Sequence, residues 1–202
     1  MSRLSNVALG VLALSAAPLA AAHAQDVADP YNPSRFAVEG YLSQTFLESD
    51  ANDDREGQGG FGVRVMFGQA QASRAVSTFF NRARVGGFFT YNGEQGDLEL
   101  KSIHYGVQAD FPLLAAPAEA TGPLRFDPFL SLGAGVFNVS TPGTTTGTRN
   151  SSNDFAITPA AGVLVPITGE IKFRGDIRDA IVFGEGSTTN NFIFEGGISI
   201  GF

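Results

Sequence analysis

Apolar and polar residues alternate along most of the chain after its first two dozen residues, and the alternation recurs in about eight segments. A period of two places successive side chains on opposite faces of a β-strand. The apolar positions of these segments are Phe36, Val38, Gly40, Leu42 and Phe46; Phe61, Val63, Val65 and Phe67; Ala83, Val85, Phe89 and Tyr91; Ile103, Tyr105, Val107, Ala109 and Phe111; Leu130, Leu132, Ala134 and Val136; Phe155, Ile157, Ala161, Val163 and Val165; Ile171, Phe173, Ile177, Ile181 and Phe183; and Phe192, Phe194, Ile198, Ile200 and Phe202. This pattern predicts an all-β fold of about eight strands.

The connections between the segments alternate in kind. Residues 48–59, 92–97, 140–154 and 184–190 are polar stretches rich in Gly, Asn, Ser or Thr. Between them lie residues 68–81, where we expect a helical turn over 69–80, residues 112–124, where we expect an ordered Ala/Pro loop, and a tight turn at 166–169. Polar loops at one end and turns at the other are typical of an outer-membrane barrel with both termini on the periplasmic side.

The first 24 residues have the composition of an export signal. Arg3 precedes an apolar run over residues 7–14, and the triplet Ala22-His23-Ala24 has small residues at its first and third places. This predicts a signal peptide over residues 1–24, cleaved before Gln25, and one domain over residues 25–202. An N-terminal membrane anchor is the alternative, but the apolar run is short for a membrane span.

After the signal, no apolar run approaches the 18 or so residues that a transmembrane helix requires. A closed β-barrel is the other structure that satisfies every backbone polar group in lipid. The chain has 18 Phe, 25 Gly and no Cys, so disulfides cannot stabilise it. Its net charge of −7 is unfavourable for nucleic-acid binding and compatible with the divalent cations that bridge lipopolysaccharide.

Alternation alone leaves open which face points outward, because a soluble calyx barrel has the same period with its apolar residues inside. A basic residue facing hydrocarbon costs roughly 2–4 kcal/mol near the membrane midplane. We therefore expect the charged residues inside the barrel, where Asp110 offers a further carboxylate. The lumen of an eight-stranded barrel is narrow enough to be filled by side chains, which predicts a buried polar core. The predicted lumen charge cluster is Glu39, Arg64, Arg82, Arg84, Lys172, Arg174, Asp176, Arg178 and Glu195.

Aromatic residues near the segment ends, from Phe46 to Phe202, match the interfacial girdles of membrane barrels. Together with the signal peptide, the segment over residues 129–136 and the ending over residues 195–202 resemble the small OmpA/OmpX-type barrel family of Gram-negative bacteria. The resemblance implies a transmembrane antiparallel up-and-down β-barrel in the outer membrane, in contact with its lipids and lipopolysaccharide. It also implies that Ile198, Ile200 and Phe202 form the signal read by the barrel assembly machinery.

Candidate chemistry is sparse. His104 is the single histidine after the signal, and Tyr105 and Gly106 follow it, so the His-X-Ser pattern of lipid A deacylases is absent. Ser102 lies close along the strand, with Asp97 or Glu99 as an orienting carboxylate if a nucleophile system exists. The loop over residues 50–56 begins like a calcium loop but lacks its Gly at position six and its Glu at position twelve.

The sequence contains no cofactor motif. We therefore expect a non-enzymatic surface protein with a structural, envelope-integrity or surface-interaction role, acidic outer loops and an unidentified surface ligand. The alternatives are a narrow channel for small solutes, a rim enzyme acting on lipid A, and an adhesin.

Overall fold

The computed structural model describes residues 36–48, 55–68, 83–93, 100–113, 126–142, 149–168, 170–184 and 187–202. The described residues form eight strands: β1 (Phe36–Glu48), β2 (Arg55–Gly68), β3 (Arg84–Asn92), β4 (Lys101–Pro112), β5 (Asp127–Pro142), β6 (Arg149–Thr168), β7 (Ile171–Phe183) and β8 (Thr188–Gly201). Each strand pairs antiparallel with its neighbours in the chain, and β8 pairs with β1 to close the barrel. The predicted up-and-down barrel of eight strands is confirmed.

The expected signal peptide over residues 1–24 and the helical turn over residues 69–80 lie outside the described residues, as do most of the residues of the expected Ala/Pro loop. In the part of the chain that the structure describes, no helix is long and apolar enough to cross a membrane.

The seam between β1 and β8 includes the C-terminal residue. The register runs from the pair Ala37–Gly201 to the pair Phe46–Phe192. The Phe202 amide donates a hydrogen bond of 2.9 Å to the Phe36 carbonyl oxygen, and the two rings stack with centroids 4.9 Å apart. Phe202 therefore helps to close the ring of strands.

Large apolar side chains cover the outside of the barrel, and the charged side chains of the strand centres lie inside it. In β1, for example, Val38 and Leu42 are exposed whereas Glu39 and Ser43 are buried. The aromatic residues near strand ends are outside too, and some of them contact each other, such as Phe155 and Phe183. This is the sidedness that the cost of charge in hydrocarbon predicts.

Ala83 and Asp179 depart from the simple alternation. Ala83, which the sequence pattern placed on the outer face, is buried, because β3 begins one residue later at Arg84 and the pattern does not extend to it. Asp179 is on the outer face of β7, between Ile177 and Ile181. The register places Asp179 opposite Pro159 of β6, and the ladder of paired residues omits this position. Proline has no amide hydrogen to donate to the ladder.

The polar loops are shorter than the sequence pattern indicated. They lie at the end of the barrel that we expect to be extracellular, which is called the extracellular end below, and the opposite end is called the periplasmic end. β2 begins at Arg55, inside the loop expected over residues 48–59, and β5 and β6 extend to Pro142 and Arg149, inside the loop expected over residues 140–154. β8 likewise begins at Thr188. The reason is that backbone hydrogen bonds continue a ladder whatever the polarity of its side chains, so loss of alternation does not end a strand.

Candidate functional site in the barrel lumen

A layer of eight ionised side chains from six strands fills the middle and the periplasmic half of the lumen. Four are arginines and four are carboxylates, so the layer is electrically neutral as a whole. All are buried except Arg84, whose side chain is 16% exposed. This ionic layer consists of Glu39, Arg64, Arg84, Asp110, Arg174, Asp176, Arg178 and Glu195.

Arg64 on β2 is at the centre of the ionic layer. Glu39 is its cross-strand partner on β1, and the Arg64 Nη1 atom donates to Glu39 Oε2 at 2.9 Å. Its second amino group donates to the Glu195 carboxylate, and Asp176 Oδ2 lies 3.7 Å from Nη1. One fully buried guanidinium thus contacts three carboxylates, which compensates for the loss of water around each of them.

Three inward positions of β7 supply the next part of the layer. Arg174 Nε donates to Asp176 Oδ2 at 2.7 Å, and its Nη1 atom donates to Asp110 Oδ2 at 2.5 Å. Arg178 Nε is 2.8 Å from both Asp176 Oδ1 and Glu195 Oε2. A spacing of two residues puts all three side chains on one face, because successive side chains of a strand alternate.

Seven of the nine residues of the predicted charge cluster lie in the ionic layer, together with Asp110. Arg84 joins it through hydrogen bonds of 3.2 Å to Glu39 Oε1 and Asp110 Oδ2. Lys172 is only partly buried, near the periplasmic end of β7. Arg82 lies outside the described residues.

Two aromatic rings contact the ionic layer and lie across glycines of a neighbouring strand. Tyr41 pairs with Gly62, and Phe129 pairs with Gly162. A Cβ atom at Gly62 would be 2.4 Å from the Tyr41 ring, and one at Gly162 would be 2.5 Å from the Phe129 ring. Glycine is therefore required for this close approach.

Each of these rings also carries a guanidinium. Arg64 lies 4.6 Å from the Tyr41 ring centroid, and Arg174 lies 4.2 Å from that of Phe129. The Tyr41 hydroxyl reaches β3, where it donates to the Phe89 carbonyl oxygen at 3.2 Å. The hydrogen bond of its hydroxyl holds the Tyr41 ring in place. The two rings in turn hold the guanidinium groups of Arg64 and Arg174, because the face of an aromatic ring attracts a cation.

The extracellular half of the lumen is divided between a polar side and an apolar side. On the polar side, hydrogen bonds of 2.7–3.0 Å join β1 to β4 through the chain Ser43–Asn92–Ser102–Gln58. The other side is an apolar cluster that the rule of apolar residues outward did not predict. It consists of Leu47, Phe137, Ala156, Ala180, Val182 and Ile193.

The expected polar core is therefore only part of the lumen. The physical reason is that inward positions near the extracellular end contact other side chains and not lipid, so apolar residues are stable there as well. The sequence signal that could have identified these apolar residues is their position in β5, β7 and β8, where they alternate with the outward-facing residues.

The residues considered for catalysis have structural partners. The Ser102 hydroxyl donates to Gln58 Oε1 and accepts from Asn92 Nδ2, each at 3.0 Å. The buried ring of His104 packs against Phe88 and Phe137, with centroids 4.6 Å and 5.3 Å apart. Both carboxylates proposed as orienting groups, at 97 and 99, and the acidic loop residues 50–54 lie outside the described residues. Among the described residues, no group of three or more His, Cys, Asp or Glu is placed to hold a metal ion.

Comparison with known proteins finds no matching family model and no matching curated protein. Solved structures do match. Neisserial surface protein A is 14% identical with a TM-score of 0.59, and the match covers 84% of this chain and 98% of that one. Ail, the attachment invasion locus protein of Yersinia pestis, solved with the heparin analogue sucrose octasulfate, is 12% identical with a TM-score of 0.54 and coverage of 84% and 99%.

A third match is the outer membrane protein OprG from Pseudomonas aeruginosa. It is 10% identical with a TM-score of 0.52, and the match covers 84% of this chain and 96% of OprG. At such identities a match establishes architecture and not activity. The chain has the fold of the small eight-stranded outer-membrane β-barrels, the OmpA/OmpX type that its sequence resembles.

Proposed function

We propose that the protein is an integral outer-membrane barrel without catalytic or channel activity, which contributes to envelope integrity and presents a surface for contact outside the cell. The observation that carries this proposal is the combination of an apolar outer wall with a lumen filled by the neutral ionic layer. The first feature suits contact with the acyl chains of phospholipid and lipopolysaccharide, and the second suits a rigid, closed scaffold.

The filled lumen argues against the narrow channel. Arg64 and Arg178 are fully buried, and the apolar cluster around Phe137 lies above them. A solute would have to displace side chains that hold one another by several short charge-assisted hydrogen bonds. Water-filled channels occur in barrels of about 16 strands, which are much wider.

The C-terminal strand supports the proposed assembly route. Ile198 and Ile200 lie on the outer face of β8, and Phe202, which follows β8, is exposed and contacts Phe36 across the seam. We propose that these residues are read by the barrel assembly machinery after export with a cleaved signal over residues 1–24. Localisation in the outer membrane follows from this route and from the apolar wall.

A surface-contact role is supported by the β5–β6 hairpin. β6 has 20 residues, whereas a tilted strand needs about 9–11 to cross the hydrocarbon. Beyond Phe155 the paired strands continue to the pair Pro142–Arg149, and Ser151, Ser152 and Asn153 are exposed there. The hairpin is a polar ribbon at the extracellular end. Ail, named for attachment and solved with a heparin analogue, is a precedent for ligand contact by this fold.

Heat-modifiability on SDS gels of membrane fractions tests the proposal. Unboiled protein from the outer-membrane fraction is expected to migrate differently from boiled protein, because the closed ring of hydrogen bonds resists the detergent. The purified barrel is expected to show no conductance in planar bilayers. Identical migration with the protein in the soluble periplasm would overturn the membrane assignment, and steady conductance lost in a lumen variant such as Arg64→Met would establish the channel.

Two further measurements separate the remaining alternatives. Overexpression is expected to leave the mass spectrum of lipid A unchanged, and a shift by one acyl chain would establish the rim enzyme. Deletion of residues 143–148 with insertion of Asn-Gly in their place leaves the two-residue connection of a tight hairpin, so the pair Pro142–Arg149 can still form. Retained binding to host-cell surfaces after this deletion would assign any adhesion to another part of the barrel.

A further inference from the structure

A cavity of about 280 Å³ lies at the extracellular end of the lumen, above the apolar cluster. Its apolar lining comes from β1, β5, β7 and the residue that precedes β4: Leu47, Phe137, Val139, Val182 and Leu100. The cavity is slightly smaller than the pockets that hold drug-sized ligands, which begin at about 300 Å³. It suits a single ring system or a short alkyl chain.

The charged residues of the described lining are acidic. Glu48 and Asp154 both border the cavity, and its described lining contains no Lys, Arg or His. Glu48 is held in place by β8, because its carboxylate accepts a hydrogen bond of 2.6 Å from the Asn190 amide and its own amide donates to Asn191 Oδ1 at 3.0 Å. Two carboxylates beside an apolar surface attract a cation and disfavour an anion.

We infer that this cavity binds a small organic cation with an apolar body, such as an aralkylamine, from the extracellular side. The ring lies on the apolar surface, where burial releases water, and the ammonium group lies against Asp154, while Glu48, exposed at the rim, adds negative potential. The whole chain, with a net charge of −7, attracts such cations toward the mouth. The inference deepens the proposed function, because it names a ligand class for the extracellular end.

The absence of tryptophan makes the test direct. Tryptamine is added to the purified, folded full-length barrel in nonionic micelles, and its indole fluorescence anisotropy is measured against empty micelles. Indole-3-propionate and 3-ethylindole are the anionic and neutral probes with similar bodies. Tryptamine is expected to bind at least about tenfold more tightly than the anion, and added salt is expected to weaken tryptamine binding but not the binding of ethylindole.

Asp154→Asn on β6 is the decisive variant, and Asp127→Asn, which makes the same change on β5 at the other end of the barrel, is its matched control. Asp154→Asn is expected to weaken tryptamine binding about fivefold and leave ethylindole binding unchanged, whereas Asp127→Asn changes neither. Val182→Thr keeps the side-chain shape and is expected to weaken both probes. The heat-dependent gel shift checks that each variant is folded, and Glu48→Gln replaces Asp154→Asn if that variant does not fold.

Equal affinity of the folded barrel for all three probes, or tryptamine binding that Asp154→Asn and Glu48→Gln leave unchanged, would overturn the inference. Because binding is measured on purified protein, its result is independent of where the protein resides in the cell. Cation-selective binding by a barrel that fractionates with the periplasm would refute the proposed function and retain the site. A barrel that fractionates with the outer membrane but binds the three probes equally would refute the site and retain the proposed function.

Discussion

Replacing Arg64 by Met removes the central cation of the lumen and keeps an unbranched apolar stem in its place. Arg64 is fully buried and contacts Glu39, Glu195 and Asp176, so the substitution leaves the ionic layer with three cations and four carboxylates. One uncompensated negative charge then remains in a closed space. The variant tests whether the ionic layer stabilises the barrel or merely fills it.

The expected loss can be estimated from the geometry. At an effective dielectric constant of about 20, two unit charges separated by the 2.9 Å between Arg64 Nη1 and Glu39 Oε2 attract each other by about 6 kcal/mol. Part of this is retained, because Glu39 also contacts Arg84 at 3.2 Å and Arg174 at 3.5 Å. Removal of one partner from a buried pair typically costs about 3–5 kcal/mol, and we expect a loss of about 3 kcal/mol.

The assay is urea unfolding of the barrel reconstituted in liposomes, followed by far-ultraviolet circular dichroism and by the gel shift of unboiled samples. The double variant Arg64→Met with Glu39→Gln restores neutrality and is expected to recover about 1–2 kcal/mol of the loss. Lys172→Met, at the partly exposed periplasmic end, is the control, with an expected change below about 1 kcal/mol.

An unfolding free energy of Arg64→Met within about 0.5 kcal/mol of the wild type would refute the reasoning, since it would mean that water enters and solvates the carboxylates. A double variant less stable than Arg64→Met would also contradict it. In either case the ionic layer would have to be regarded as hydrated, and the case for a closed lumen would fail.

Three further perturbations test the glycine contact, the sidedness and the seam by the same unfolding assay. Gly62→Ala places a methyl group 2.4 Å from the Tyr41 ring and is expected to cost about 1–3 kcal/mol, whereas Gly40→Ala on the outer face, with no atom within 4 Å, is expected to cost less than about 0.5 kcal/mol. Ile177→Arg, at the centre of β7 and 52% exposed, is expected to cost about 2–4 kcal/mol, because arginine would face hydrocarbon. Phe202→Ala removes a ring that is stacked at the seam and is expected to cost about 1 kcal/mol in liposomes, with a larger loss of assembled barrel in cells.

Each of these has a contrary outcome. Equal effects of the two alanine substitutions would show that Tyr41 does not depend on its glycine. An Ile177→Arg barrel as stable as the wild type would show that the outer face contacts water and not hydrocarbon. If Phe202→Ala lowers the amount of assembled barrel in cells no more than its loss of stability in liposomes explains, then the role of Phe202 is to close the seam and not to signal assembly.

The number of strands, their order and the outward direction of the apolar residues followed from the sequence alone. A period of two is a local property of strand geometry, and the charges on β1, β7 and β8 selected the inner face because charge in hydrocarbon is so costly. The outward position of Phe202 likewise followed from the alternation.

What only the tertiary structure decided is which inward side chains meet. Asp110 on β4 contacts Arg174 on β7 across the lumen, 64 residues away, and Tyr41 reaches β3 only because Gly62 lies between them. The apolar cluster around Phe137 and the acidic cavity above it are also products of barrel closure. Closure of the barrel brings together strands that are distant in sequence. Alternation predicts only which face a residue occupies, and it predicts neither the position of that residue along the barrel axis nor its partner across the lumen.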